Sequence, residues 1–289
     1  RIAKFGARPV PFMSVMANEG DLATKFGITV VPVSPTAIAA RMDELIQGKD
    51  ERLAEYLADV KGRMDTSSME EDKVTRAAAA KLAVQDLMEK NHCTAGAMEC
   101  WSAVPILGVP ICMTLGEMAD EGLPISCETD INGAVTLAML QAVTLGKESS
   151  FLADLTIRHP QNDNAELLWH CGPFPSSLKD SGCQARLVGG QERFELKKGD
   201  ITVCRFDDCD GKYYLFGGEG RAVDGPQTNG TYVWFETDNW KRWEEKLMFG
   251  PYIHHVGGIY GNYKPVLREA ARYLGLIFDD ADEQGVYSL

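Results

Sequence analysis

The stretch from Leu123 to Pro175 does most to limit what this chain can fold into. It reads LPISCETDINGAVTLAMLQAVTLGKESSFLADLTIRHPQNDNAELLWHCGPFP. Pro124 to Glu128 has the composition of a short buried strand. Asp130 suits the N-cap of a helix from Ile131 to Leu145, and Gly146 is a stop signal just beyond it. Ser150 to Ile157 is the next strand. Strand, helix and strand in this order predict a βαβ unit, with parallel strands joined by a right-handed crossover. Glu166 to Cys171 reads as one more strand.

The segments before this stretch have the same texture. Ile2 to Gly6 is a short strand. Phe12 to Phe26 is amphipathic, with Gly27 as its stop, and Ile28 to Val33 is a β-branched strand suited to burial on both faces. Ser34 can cap a helix that has Pro35 in its first turn. Lys49 to Lys90 is mostly helical, with a start predicted at Ser67 and Glu70 three residues on. Gly96 to Trp101 is strand-like. From about Ala185 the pattern changes to short strands between Gly/Asp turns, and Asp210-Gly211 is a strong hairpin signal. Pro265 to Leu274 returns to helix. The predicted fold class is α/β: a Rossmann-like parallel sheet layer, residues 1–180, followed by a smaller β-rich, barrel-like lobe, residues 181–289.

Composition excludes some classes of partner. The net charge is −13 over 289 residues. Nucleic acid and anionic membrane surfaces need clustered Lys and Arg, so neither is expected as a partner. No apolar run reaches the roughly 20 residues of a membrane span. There is no secretion signal, and a cytoplasmic location is expected. The chain opens at Arg1 and enters a strand at once, so a piece of a longer protein is expected. Its eight cysteines form no C-x-x-C pair and read as reduced thiols used as small core residues. Phe206 to Glu219 loosely resembles an EF-hand loop, but Phe206 occupies the first ligand position and a hairpin is the better reading. Phosphate-loop, dinucleotide and nucleophile-elbow motifs are missing from the sequence.

Five side chains could carry chemistry. Glu128 ends its strand, and Asp154 interrupts the apolar run Phe151, Leu152, Ala153 and Leu155. An ionised carboxylate there is costly unless it is paired or binds a cation. A buried salt bridge would satisfy it equally well. His170 follows Leu167, Leu168 and Trp169, where a hydrogen-bonded core histidine is the alternative to a ligand. His254-His255 lies in a segment with Gly250, Gly257 and Gly258 nearby. On an extended segment adjacent side chains point opposite ways, so at most one imidazole should face a given site. Carboxylates with imidazole suit Mn²⁺, Mg²⁺, Co²⁺ or Fe²⁺.

Some of these residues also carry a resemblance. The run Cys127-Glu128-Thr129-Asp130-Ile131-Asn132-Gly133-Ala134, then Leu145-Gly146 and Phe151-Leu152-Ala153-Asp154, resembles the core of the L-fucose/L-arabinose isomerase superfamily. It is closest to the L-fucose isomerase-like group. Glu99-Cys100-Trp101 and Leu168-Trp169-His170-Cys171 resemble it too. The likeness covers essentially the whole chain and is weakest across the β-rich lobe. It implies a metal-dependent ketol isomerase, typically using Mn²⁺ and built as a homo-oligomer, with a sugar as substrate. It also implies that an additional N-terminal α/β domain of this family, which contributes to sugar recognition, is missing from the chain.

Carried across by position, the resemblance implies Glu128, Asp154 and His255 as metal ligands. The second histidine of such a pair is the ligand in the arabinose-type pattern, which favours His255 over His254. His170 matches a further histidine of the arabinose branch, whereas Asp154, where that branch has Glu, matches the fucose branch. Aldose–ketose interconversion moves a proton between adjacent carbons through an enediolate. Glu128 and Asp154 would serve as the acid/base pair. Both must be ionised, so a neutral to alkaline optimum is expected. A non-catalytic sugar-binding relative of the same fold is the alternative.

Overall fold

The computed structural model describes residues 1–284. Its first half is a parallel sheet of four short strands in the order β2-β1-β3-β4, namely β1 (Ile2–Phe5), β2 (Val30–Val33), β3 (Ala95–Met98) and β4 (Ile125–Cys127). Helices α1 (Glu19–Phe26), α2 (Pro35–Gln47), α3 (Glu51–Arg63), α4 (Glu71–Lys90), α5 (Val104–Leu107) and α6 (Cys112–Asp120) surround it. The local rules set several ends. Ser34 Oγ accepts the Thr36 amide with Pro35 in the first turn, and Asn18 caps α1. Met13–Val15 is a separate 3₁₀ turn, so the predicted helix from Phe12 to Phe26 is two pieces. Ser67 does not cap α4; that helix starts four residues later, after Glu70.

After α7 (Ile131–Val143) the chain enters a different sheet. The strands are β5 (Phe151–His159), β6 (Asn162–His170), β7 (Arg186–Val188), β8 (Gln191–Glu195), β9 (Asp200–Cys209), β10 (Lys212–Val223) and β11 (Thr231–Glu236). Helix α8 (Trp240–Phe249), β12 (His255–Tyr260), α9 (Lys264–Leu274) and β13 (Ile277–Asp280) complete it. Six strands form a closed antiparallel barrel in the order β9-β12-β5-β6-β11-β10, with β10 returning to pair with β9. Strands β13, β8 and β7 extend it at the sides. The Asp210-Gly211 hairpin forms as expected between β9 and β10.

The parallel βαβ unit does not form. Strand β4 pairs with β3 in the first sheet, whereas β5 pairs antiparallel with β12 and β6 in the barrel. The change of sheet therefore precedes Phe151, ahead of the division expected between residues 180 and 181. Two causes misled the reading. Strands β5 and β6 run on past the barrel into exposed polar residues around Pro160, so their hairpin lacks an apolar pattern. Helix α7 is buried on nearly all sides, so its sequence does not say which sheet comes next.

That burial has a structural role. Helix α7 packs on β3 and β4 on one side and on β9 and β12 on the other. Gly257 of β12 allows the close approach, because a Cβ there would lie 2.7 Å from Leu140 and 2.8 Å from Thr136. One continuous apolar cluster runs from Ala3 and Phe5 in the parallel sheet to Val233 and Trp243 in the barrel region. Among the described residues, no single helix is long and apolar enough to cross a membrane.

Candidate functional site

The site lies where the end of β4 meets the barrel wall. Glu128 follows the last residue of β4. Its φ is 59° and that of Thr129 is 57°, both in the left-handed region. Two successive side-chain-bearing residues in this region store strain. The bend is held by its amides: Thr129 N–H donates to Met98 O at 3.0 Å, and Asp130 N–H to Cys127 O at 3.1 Å. Thr129 Oγ1 also donates to Ala7 O at 3.0 Å, tying the turn to the loop after β1. The turn aims the Glu128 carboxylate at the barrel.

The barrel presents its side by register. Asp154 of β5 stands directly opposite His255 of β12 and, on its other flank, opposite Trp169, the neighbour of His170. His255 Nε2 lies 3.0 Å from Glu128 Oε2 and 3.4 Å from Asp154 Oδ1. His170 Nε2 and His254 Nε2 each lie 3.9 Å from Asp154 Oδ1. Strict alternation would let only one of the two adjacent histidines approach. It does not apply here, because His254 precedes the first residue of β12. The positions differ in burial: the side chain of His255 is 0% exposed and that of His254 is 46% exposed.

Four buried atoms meet at this point, and beyond the 3.0 Å contact of His255 Nε2 with Glu128 Oε2 they have no other hydrogen-bond partner: Glu128 Oε2, Asp154 Oδ1, His170 Nε2 and His255 Nε2. Buried polar atoms are almost always paired, so four such atoms turned toward one space call for an occupant. Two carboxylate oxygens with imidazole nitrogen form a donor set for a hard or borderline divalent cation. The residues present therefore fit such a cation.

Behind His255 is a buried charge relay that sequence reading missed. His255 Nδ1–H donates to Asp130 Oδ2 at 2.9 Å. Asp130 also accepts Arg205 Nη1 at 2.5 Å and still caps α7 through the Gly133 amide at 2.8 Å. Arg205 Nε donates onward to Asp207 at 3.0 Å. Burial works to raise the Asp130 carboxyl, but Arg205 and His255 overcome it and hold it well below its usual range. The bond to Asp130 engages Nδ1, so Nε2, which faces Glu128 and Asp154, is the nitrogen that would give up its proton to a cation. Burial opposes charge on His255, yet Asp130 and Glu128 lift it to about 9. Burial likewise opposes charge on His170, and Asp154, Cys171 and Glu128 lift it to about 10. Burial raises Glu128, but His255 and the other histidines bring it below its ordinary value. Asp130 was legible as a helix cap, but nothing in the spacing linked it to Arg205 or His255.

The rest of the surroundings are apolar and thiol-rich. Phe12 lies 6.4 Å, ring to ring, from both Trp101 and His254, forming an aromatic rim with Trp101 half exposed. Cys112 and Cys171 sulfurs are 3.5 Å apart, and all eight cysteines are free thiols. Glu99 is not turned into the donor cluster: it accepts the Ala7 amide at 2.8 Å and the Ser102 hydroxyl at 2.8 Å.

Residues 168–281, which include His170 and His255, match the family model of the L-fucose isomerase C-terminal domain. Over these residues the chain is similar to that domain. Over 286 residues it is 26% identical to a sulfoquinovose isomerase of Priestia aryabhattai, covering 96% of this chain and 63% of that protein. It is 29% identical over 241 residues to the sulfoquinovose isomerase of Alkalicoccus urumqiensis, covering 80% of this chain and 53% of that protein. The corresponding protein of Clostridium sp. (strain MSTE9) is 27% identical over 293 residues. The chain spans less than two thirds of the length of these relatives.

Proposed function

We propose that this chain carries the reaction centre of a divalent-cation-dependent aldose–ketose isomerase acting on a sulfonated sugar. The observation that carries the reading is the convergence of four buried N and O atoms from Glu128, Asp154, His170 and His255, with no partner outside the cluster. Sugar isomerase relatives support the reaction class, and the name sulfoquinovose isomerase supports the substrate.

Glu128, Asp154 and His255 would hold the cation, with Mn²⁺ as the best match to the donors. A cation there supplies Lewis-acid stabilisation of the negative charge that develops on the sugar oxygens. The carboxylates of Glu128 and Asp154 take the proton from one carbon and return it to its neighbour, by way of the enediolate. Glu128 is held ionised by the histidines, as a base must be. Asp130 holds His255 by Nδ1, which leaves Nε2 as the nitrogen that would lose its proton and bind. Phe12 and Trp101 offer apolar faces to the sugar ring and shield it from water. Arg8 supplies a cation for the sulfonate. It is half-buried one residue from Ala7, the residue that Thr129 grips, and its Nη1 is anchored on Pro9 O and Val10 O.

The test is to incubate the chain with sulfoquinovose and MnCl₂ and to follow the ketose by NMR. Glu128→Gln and Asp154→Asn should each lower turnover by about 10³-fold or more, beyond the loss of a single oriented hydrogen-bond donor. Near-normal turnover in either variant sinks the assignment. Sugar binding without any turnover selects a non-catalytic relative instead.

A further inference from the structure

We propose that His170 is a hydrogen-bond donor to the sugar and not a ligand of the cation. This rests on the reading of the site as a sugar isomerase centre. It differs from the role that position-by-position comparison implies.

The argument starts from the other end of the ring. His170 is the last residue of β6, and its Nδ1 accepts the backbone N–H of Cys171 at 2.9 Å. The Cys171 thiol lies against the same nitrogen at 3.3 Å. A neutral imidazole has one bare nitrogen and one N–H. With Nδ1 as the acceptor, the hydrogen sits on Nε2. A ligand must offer a lone pair, and a protonated Nε2 has none to offer. The opposite tautomer would set the Nδ1–H against the Cys171 N–H and take away that amide's acceptor.

The direction of Nε2 completes the case. It is buried, without a partner, and turned toward the space it shares with Glu128 Oε2 and Asp154 Oδ1. At 3.9 Å from Asp154 Oδ1 it is too far for a direct hydrogen bond. His255, by contrast, spends its Nδ1–H on Asp130, so its Nε2 is the nitrogen that would turn a lone pair to a cation in the same space. The two imidazoles, with ring centres 6.4 Å apart, are fixed in opposite tautomers by their neighbours. One is built to ligate. The other is built to donate to a sugar oxygen beside the reacting carbons.

The experiment pairs Mn²⁺ titration, read by EPR of the free ion, with sulfoquinovose kinetics. The variants are His170→Gln, His170→Leu and His255→Gln. Glutamine places an amide N–H near the position of Nε2, and leucine removes the donor. His170→Gln and His170→Leu should keep Mn²⁺ affinity to within about threefold, whereas His255→Gln should lose more than the roughly 10- to 100-fold typical of a ligand's supporting partner. kcat/KM should fall about 10²- to 10³-fold in His170→Leu, the loss expected for one oriented donor, and recover in part in His170→Gln. Loss of Mn²⁺ affinity by more than tenfold in both His170 variants overturns the inference and leaves the isomerase reading standing. Failure of the unsubstituted chain to bind Mn²⁺ overturns both. Should the variants fold poorly, a long-range ¹⁵N–¹H spectrum of the unsubstituted, Mg²⁺-loaded chain reads the tautomer directly. Hydrogen on Nε2 of His170 supports the inference, and hydrogen on Nδ1 alone refutes it.

Discussion

The two walls of the site are built in different ways. On the parallel-sheet side, Glu128 is aimed by a strained bend of two left-handed residues at a strand end. On the barrel side, Asp154, His170 and His255 project from ordinary antiparallel ladders, aimed by register. A bend positions one residue and can be adjusted locally. A register positions a whole face, and a slip by one residue turns every side chain away. The barrel wall should therefore be the less forgiving of the two.

The sharpest way to break the barrel wall is to remove its buried counter-charge. Arg205→Leu leaves Asp130 and Asp207 without the guanidinium that lies between them, both side chains being nearly inaccessible. Stability should fall by about 3–5 kcal/mol, measured by urea unfolding. Gly257→Ala tests the packing of α7 on the barrel rather than its charge. The added methyl meets Leu140 and Thr136, and an overpacking cost of about 1–3 kcal/mol is expected in the same assay.

The bend should respond differently. Thr129→Gly relieves a left-handed residue but removes the bond to Ala7 O, so stability should change by less than about 1 kcal/mol. Mn²⁺ affinity should nevertheless fall by about tenfold, because Glu128 loses its support. A large destabilisation with unchanged affinity would erase the contrast between the walls.

The smallest effect concerns the joint between α3, α6 and the barrel extension. Ser176 Oγ lies 3.0 Å from both Glu117 Oε1 and Glu192 Oε2, and Arg63 Nη1 donates to it at 3.1 Å. One hydroxyl hydrogen cannot serve two carboxylates, and a protonated Glu192 resolves the arrangement. Burial first, and then the charge of Glu117, push Glu192 well above its ordinary value of 4.5. A raised folded value means that the stability is complete below the unfolded value and drains away as pH rises through the folded one. Glu192→Gln should match the parent near pH 4 and gain on it toward pH 9, by about 2 °C or more in Tm. A gap that narrows as pH rises would reverse the assignment.

What was legible in the sequence followed the same division. Short-range rules located Ser34, Asp130 and the Asp210-Gly211 turn, because a cap or a hairpin is decided within a few residues. Glu128 and Asp154 were visible because carboxylates among apolar strand residues need a reason to be there. The partner of each strand was not visible. Strands β4 and β5 flank a helix as in a crossover, and only the burial of α7 on both sides reveals two different sheets. Arg205 was hidden for a related reason. A guanidinium within a strand looks solvent-facing until β9 is placed against the start of α7, 75 residues away in sequence.

The division of donors between a sheet and a barrel has a mechanical consequence. A cation gripped by Glu128, Asp154 and His255 would fasten β4 to the paired strands β5 and β12, which β4 reaches along the chain only by way of α7 and its loops. Occupancy of the centre would then work as a clasp. Sliding of the barrel against the parallel layer, and access of a protease to the Thr144 to Ser150 connection, would both be governed by whether the clasp is closed.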